Sequence, residues 1–143
     1  MQPQPPVPEE IAEHELLPES IVMRYYEAMA AGDLKRVKTL MVPSAYRMTL
    51  EAYGLPVAFR QPEFRALLER SEADASALEE LEGILSDALR QKERHPRIVW
   101  LETEVTGSDR RTVHYKEDGR PKKLYFSRTD RGWKIDYKAG RRR

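Results

Sequence analysis

His114, Tyr125 and Asp136 bring an imidazole, a phenol and a carboxylate to positions that strand alternation puts on one face of a predicted β-meander. A His–Asp pair there would do general acid–base work if its two strands are neighbours. Glu102, Glu104, Lys116, Lys123 and Lys134 share that face, and cross-strand ion pairs on an exposed or dimer-forming surface account for the same residues without chemistry. A second set falls on apolar faces: Tyr26, Met29, Tyr46, Tyr115, Trp133 and Tyr137. Aromatic walls with hydroxyl groups line small-molecule pockets, and the same spacing also describes ordinary core. Arg111 and Arg128 fall on the apolar side of their strands. Either they snorkel out at strand ends or they meet an anionic group inside.

Other chemistries find no footing. His14, His95 and His114 are the only histidines, and none stands three or four residues from another, so zinc-type ligation has no local support. Glu79, Glu80 and Glu82 read as a solvated helix face. There is no Gly-rich phosphate loop, no Walker lysine pattern and no nucleophile elbow. Neither a metal nor a cofactor is expected. Lys116, Lys123, Tyr125, Lys134 and Lys138, with Trp100 and His114, come closest to a nucleic-acid surface, but Glu102, Glu104 and Asp136 interrupt it. Nucleic acid is therefore not an expected partner.

The elements that must position these groups come from 143 residues, 40% hydrophobic and 34% charged, with a mean hydropathy of −0.73. That length fits one domain with an adequate core. Cys 0 removes disulfides, thiolate metal sites and cysteine nucleophiles together. It suits an oxidising space as well as a reducing one. No apolar run approaches the ~20 residues of a membrane helix. Residues 91–143 hold 16 Lys+Arg and 8 Asp+Glu, a net of +8, whereas residues 1–90 hold 9 and 16, a net of −7. Such halves would attract each other within a monomer or across a symmetric dimer.

Residues 1–8 (MQPQPPVP) carry four prolines and neither a basic nor an apolar signal region. The compartment is left open: the missing signal region points to the cytoplasm, and the periplasm fits if a signal was trimmed. Residues 1–17 read as a Pro-rich and acidic leader, 18–138 as one domain and 139–143 as a basic tail.

Pro18 suits the first position of a helix whose apolar face holds Ile21, Tyr25 and Met29; Gly32 stops it and Asp33 caps the next. Leu34, Val37 and Leu40 carry a second helix ending before Pro43. Tyr46, Met48 and Leu50 alternate as a strand would, and Gly54, Pro56 and Pro62 punctuate a loop. Residues 63–94 form a helical block kinked near 71–76, with Ser76 and Glu79 as a capping box. From Arg97 the period becomes two. Val99, Leu101, Thr103 and Val105 are expected on one face and Trp100 on the other, opening a four-stranded meander with turns at Gly107, Asp118-Gly119 and Asp130. The fold class is α+β, with helices packed on a curved antiparallel sheet.

Residues 25–34 (YYEAMAAGDL), an aromatic-rich helix running into Gly-Asp, and the closing residues 132–136 (GWKID) frame this pattern. Both are similar to the first-helix and last-strand signatures of the nuclear transport factor 2-like superfamily, and to its small bacterial branch of unknown function. The resemblance implies a cone-like fold, a curved sheet around the first helix, and often a dimer. Enzymes of that superfamily, such as ketosteroid isomerase and scytalone dehydratase, place Asp, Tyr or His inside the cone, but their motifs do not transfer here by position. Many of the bacterial members are exported or lipid-anchored; this chain has no anchoring cysteine.

The functional expectation is a non-catalytic domain that binds a small molecule or a protein partner, its pocket drawn from Tyr26, Met29, Tyr46, Arg111, Tyr115, Trp133 and Tyr137. The alternative is an isomerase- or dehydratase-type enzyme using acid–base chemistry in the cone. Trp100, His114 and Tyr125 are expected to form a homodimer contact on the outer sheet face, aromatic anchors within a rim of both charge signs.

Overall fold

The computed structural model describes residues 16–92 and 94–140. Within them, α1 (Pro18–Ala31), α2 (Leu34–Thr39), α3 (Pro43–Arg60), α4 (Pro62–Arg70) and α5 (Ala75–Arg90) precede β1 (Ile98–Gly107), β2 (Arg110–Glu117), β3 (Arg120–Thr129) and β4 (Gly132–Ile135). A 3₁₀ turn, Tyr137–Gly140, closes the chain's described part. The sheet is antiparallel in the order β1-β2-β3-β4, so helices followed by a meander make this an α+β protein. Of the leader expected at residues 1–17 and the tail expected at 139–143, residues 1–15 and 141–143 lie outside the described residues, while Ala139 and Gly140 belong to the closing 3₁₀ turn. Leu16, assigned to that leader, is buried in the core.

α1 forms as its pattern predicts. Pro18 occupies the first turn, where a missing N–H costs nothing, and Ile21, Val22, Tyr25, Ala28 and Met29 are buried along one side. Gly32 ends it in the left-handed region at φ 67°, and the Asp33 carboxylate accepts from Arg36 N at 3.2 Å to start α2. Pro43 opens α3 as well as following α2.

α3 overturns the strand-and-loop expectation for residues 44–62. Tyr46 and Leu50 are buried four residues apart while Met48 between them is exposed, as a helix turn requires; a strand would have put all three on one face. Pro56 lies inside the helix on its exposed side, where the loss of one backbone hydrogen bond is tolerated. Gly54 is required by contact: a Cβ there would stand 2.9 Å from Phe64 Cε1 of α4. The block expected over residues 63–94 is two helices. Its second cap is Asp74, accepting from Ser76 N at 2.9 Å and Ala77 N at 3.3 Å, so the Ser76 capping box does not form.

Leu81, Leu85 and Leu89 of α5 meet Ile21, Val22 and Tyr25 of α1 in one core that continues to Val113, Phe126 and Ile135 of the sheet. The β4 edge is covered by residues 40–42, since Ile135 N donates to Leu40 O at 2.9 Å and Val42 N to Ile135 O at 3.0 Å. The β2–β3 turn is Asp118-Gly119, both at positive φ, as the hairpin signal predicts.

One expectation about faces fails at β1. The register breaks between Trp100 and Glu102, leaving Leu101 as an extra residue: Trp100 lies opposite Tyr115, and Glu102 opposite His114. Cross-strand partners share a face, so Trp100 is on the helix-facing side with buried Tyr115, not on the outer face. Val99, opposite Lys116, takes the outer side instead.

Candidate functional site

Two helices and one strand bring phenols together inside the molecule. α1 carries Tyr25 and Tyr26 on successive positions, with rings edge to face at 5.1 Å; α3 carries Tyr53; and β2 carries Tyr115 on its helix-facing side. Tyr26 Oη and Tyr115 Oη share a hydrogen bond of 2.7 Å. The Tyr137 Oη is 3.4 Å from Thr49 Oγ1, and the Tyr53 and Tyr137 phenols add to the burial that raises the pKa of Tyr25. Burial drives the pKa of Tyr25, Tyr26, Tyr53 and Tyr115 upward, with neighbouring phenols and the Glu117 carboxylate adding to it for Tyr26. These hydroxyls remain protonated donors across the neutral range.

The cluster opens to solvent through a cleft of about 210 Å³ lined by Tyr26, Met29, Tyr53, Leu89 and Pro96, with Lys92, His95 and Glu117 at its rim. The local sequence explains its walls. Asp118, at the turn, accepts from Arg97 N at 2.9 Å and donates its own N–H to Arg97 O at 2.9 Å, pinning the segment after α5 beside the end of β2. The Lys92 ammonium stands 5.4 Å from the centre of the Tyr53 ring, where a cation meets the aromatic face.

Of the expected pocket residues, Tyr26 and Met29 line this cleft, Tyr115 lies one hydrogen bond behind it, and Tyr137 joins the phenol cluster. Tyr46 does not: its hydroxyl donates to Glu82 of α5. Arg111 and Trp133 are also elsewhere. Arg111 sits at the opposite end of β2 from Glu117, six residues or about 20 Å along the strand. There the guanidiniums of Arg111 and Arg128 stand 4.7 and 5.6 Å from the Trp133 ring centre, and Arg111 Nη1 donates to Gly107 O and Arg110 O. Arg111 thus meets an aromatic face and two backbone carbonyls, and Arg128 is an exposed side chain over the same ring. Tyr25, Tyr53, Lys92 and Glu117 were not singled out by sequence. Helical spacing of Tyr46, Leu50, Tyr53 and Val57 is the signal that would have found Tyr53.

The outer sheet face holds a broad trough of about 1450 Å³ lined by Glu104, Thr112, His114, Lys123, Tyr125 and Asp136. The His114–Asp136 pair does not form, because β3 separates β2 from β4. His114 Nε2 lies 2.8 Å from Glu104 Oε1, while Asp136 accepts from Ser127 Oγ at 2.8 Å and Lys138 N at 3.1 Å. Tyr125 is half-buried under the closing turn, where Gly140 leaves no room for a side chain. Lys134, expected among exposed charges, is buried with its ammonium on Thr39 O. Trp100 Nε1 donates to Thr103 Oγ1 at 3.1 Å, which donates to Glu19 of α1 at 3.0 Å.

Among the described residues no group of three or more His, Asp and Glu side chains is placed to hold a metal ion, and no helix is long and apolar enough to cross a membrane. No family model, curated protein or solved structure matches this chain.

Proposed function

We propose that the chain is a non-catalytic binding domain whose ligand enters the cleft over Tyr26 and Tyr53. The observation that carries this reading is the convergence of Tyr25, Tyr26, Tyr53, Tyr115 and Tyr137 beneath an opening rimmed by Lys92, His95 and Glu117. Protonated phenols offer donors and acceptors without net charge, which suits a polar ligand held between apolar walls. A volume of about 210 Å³ falls below the ~300 Å³ at which drug-sized pockets begin, so the ligand is small. Both charge signs at the rim favour a neutral or zwitterionic molecule over a polyanion. Kinship with the nuclear transport factor 2-like superfamily belongs to the same proposal and rests on residues 25–34 and 132–136.

An isomerase- or dehydratase-type enzyme is the second reading, favoured by the Glu117 carboxylate acting on the Tyr26 phenol. Self-association remains part of the proposal too. Its outer-face version is weakened, since Trp100 and Tyr125 stand on opposite sides of the sheet.

Ala30 also lines the cleft, so the test is a fragment screen by amide chemical-shift mapping on wild type and on Ala30→Leu, which fills the cleft wall. Small polar fragments should shift Tyr26, Tyr53, His95 and Glu117 in the wild type and lose those shifts in the variant. A screen whose shifts all fall elsewhere, or survive Ala30→Leu, rules the site out.

A further inference from the structure

α3 is apolar on two sides. One side, with Ala45, Tyr46, Leu50 and Val57, is buried in the core. The other carries Met48, Ala52, Leu55 and Phe59, spaced four, three and four residues apart, which is the seam of a helix that packs against another helix. Among the described residues no element covers that seam. Phe59 is 87% exposed, Leu55 56% and Met48 41%, and they line a groove of about 600 Å³ between α3 and α4. Single exposed apolar residues are common; a periodic stripe of them is not.

The groove is built stiff. Arg47 of α3 donates from Nη1 to Ser71 Oγ at 2.7 Å and from Nη2 to Leu68 O at 2.7 Å, tying α3 to the far end of α4. At the near end the helices are separated by Gln61 alone, and Gly54 lets Phe64 of α4 pack against the α3 backbone. A preformed groove loses little freedom when it is filled.

Charge selects the occupant. Arg65 and Glu69 stand one turn apart on α4 at the groove's rim, both exposed, and among the described residues neither makes an ion pair. Arginine preceding glutamate is the less favourable order for a pair within one helix, so both are left for a partner. A two-fold axis that reversed α4 would bring Arg65 against Glu69 of the partner subunit and Glu69 against Arg65 of the partner subunit, while the two seams would bury each other's Phe59 and Leu55. The surface is complementary to its own copy.

We propose that this face is a homodimer contact, occupied by a second copy of the chain through α3 and α4. It is separate from the tyrosine cleft and stands or falls without it.

Sedimentation equilibrium over micromolar to several hundred micromolar protein tests the proposal. Wild type should show a monomer–dimer equilibrium, and Phe59→Ser should weaken it at least ~tenfold, as removal of a central aromatic anchor does. Phe59 is exposed in the monomer, so that variant should keep the wild-type circular dichroism and melting temperature. Arg65→Glu and Glu69→Arg should each weaken the dimer, and the two together should restore it, because only a two-fold arrangement repairs both contacts at once. A wild-type monomer throughout the range overturns the proposal. So does a dimer that Phe59→Ser leaves unchanged, or a double variant no better than the singles, which would point to a different partner or a different face.

Discussion

The hydroxyl of Tyr26 on α1 and that of Tyr115 on β2 lie 2.7 Å apart, a polar link between the helix layer and the sheet set among apolar side chains. Removing one member takes a hydrogen-bond partner from the other's part-buried hydroxyl. Tyr115→Phe and Tyr26→Phe are each expected to cost about 1–2 kcal/mol, and the double variant less than their sum. Urea unfolding of the four proteins gives the coupling directly. Strict additivity would mean that the pair is not formed.

The same burial sets an alkaline limit. Tyr25, Tyr26, Tyr46, Tyr53 and Tyr115 have folded pKa values raised above their ordinary value of 10.0, chiefly by desolvation. Below about pH 10 both folded and unfolded phenols hold their protons, and stability is unaffected. Above it the unfolded chain releases protons that the folded chain keeps, so stability falls with a slope of about 1.4 kcal/mol per pH unit for each such proton. Urea midpoints should be flat from about pH 7 to 9 and drop beyond 10. Ultraviolet titration should show these five tyrosines ionising only as circular dichroism is lost. Full ionisation of a still-folded chain would refute the cluster's burial.

The meander was legible because alternation is local: each of β2, β3 and β4 keeps one face through its whole length, as at Val113, Tyr115, Leu124 and Phe126. α3 was not, because Gly54 and Pro56 imitate loop punctuation and their tolerance depends on Phe64 and on solvent exposure, neither visible in order of residues. Half of the candidate site followed suit. Tyr26, Met29 and Tyr115 sit on periodic faces and Tyr137 follows the alternation of Trp133 and Ile135 into the closing turn, so these four could be named from spacing; Tyr53 was hidden by the misread helix, and Glu117 stands beside a turn where charge is unremarkable. Trp100 was misplaced because a single extra leucine reverses alternation, and leucine fits either side of an edge strand.

That bulge can be tested by subtraction. Removing Leu101 leaves Trp100 opposite Tyr115 and Glu102 opposite His114 in an uninterrupted ladder. The deletion is expected to change stability by less than about 1 kcal/mol and to keep the fluorescence maximum of Trp100. Deletion of Thr112 from central, regularly paired β2 should prevent folding, since it reverses every side chain beyond it. If removal of Leu101 is as damaging, β1 is not bulged there.

Gly32 and Gly119 separate two demands that glycine can meet. Both have positive φ, 67° and 80°, so alanine at either costs about 1–2 kcal/mol for the left-handed backbone. Around Gly119 no atom lies within 4 Å of an added Cβ, and that conformational cost is the whole effect. At Gly32 the added Cβ would stand 2.6 Å from the Ser86 carbonyl oxygen and 2.8 Å from Arg90 Cγ. The arginine side chain can move aside, but the carbonyl belongs to α5 and moves only with the helix. α1 and α5 must then separate, which loosens the core to which Tyr25, Met29, Leu85 and Leu89 belong and adds the cost of poor filling. Gly32→Ala should therefore lower stability by at least ~1 kcal/mol more than Gly119→Ala does, measured as the difference in urea midpoints at unchanged slope. Equal losses would mean that α5 does not approach the end of α1 so closely.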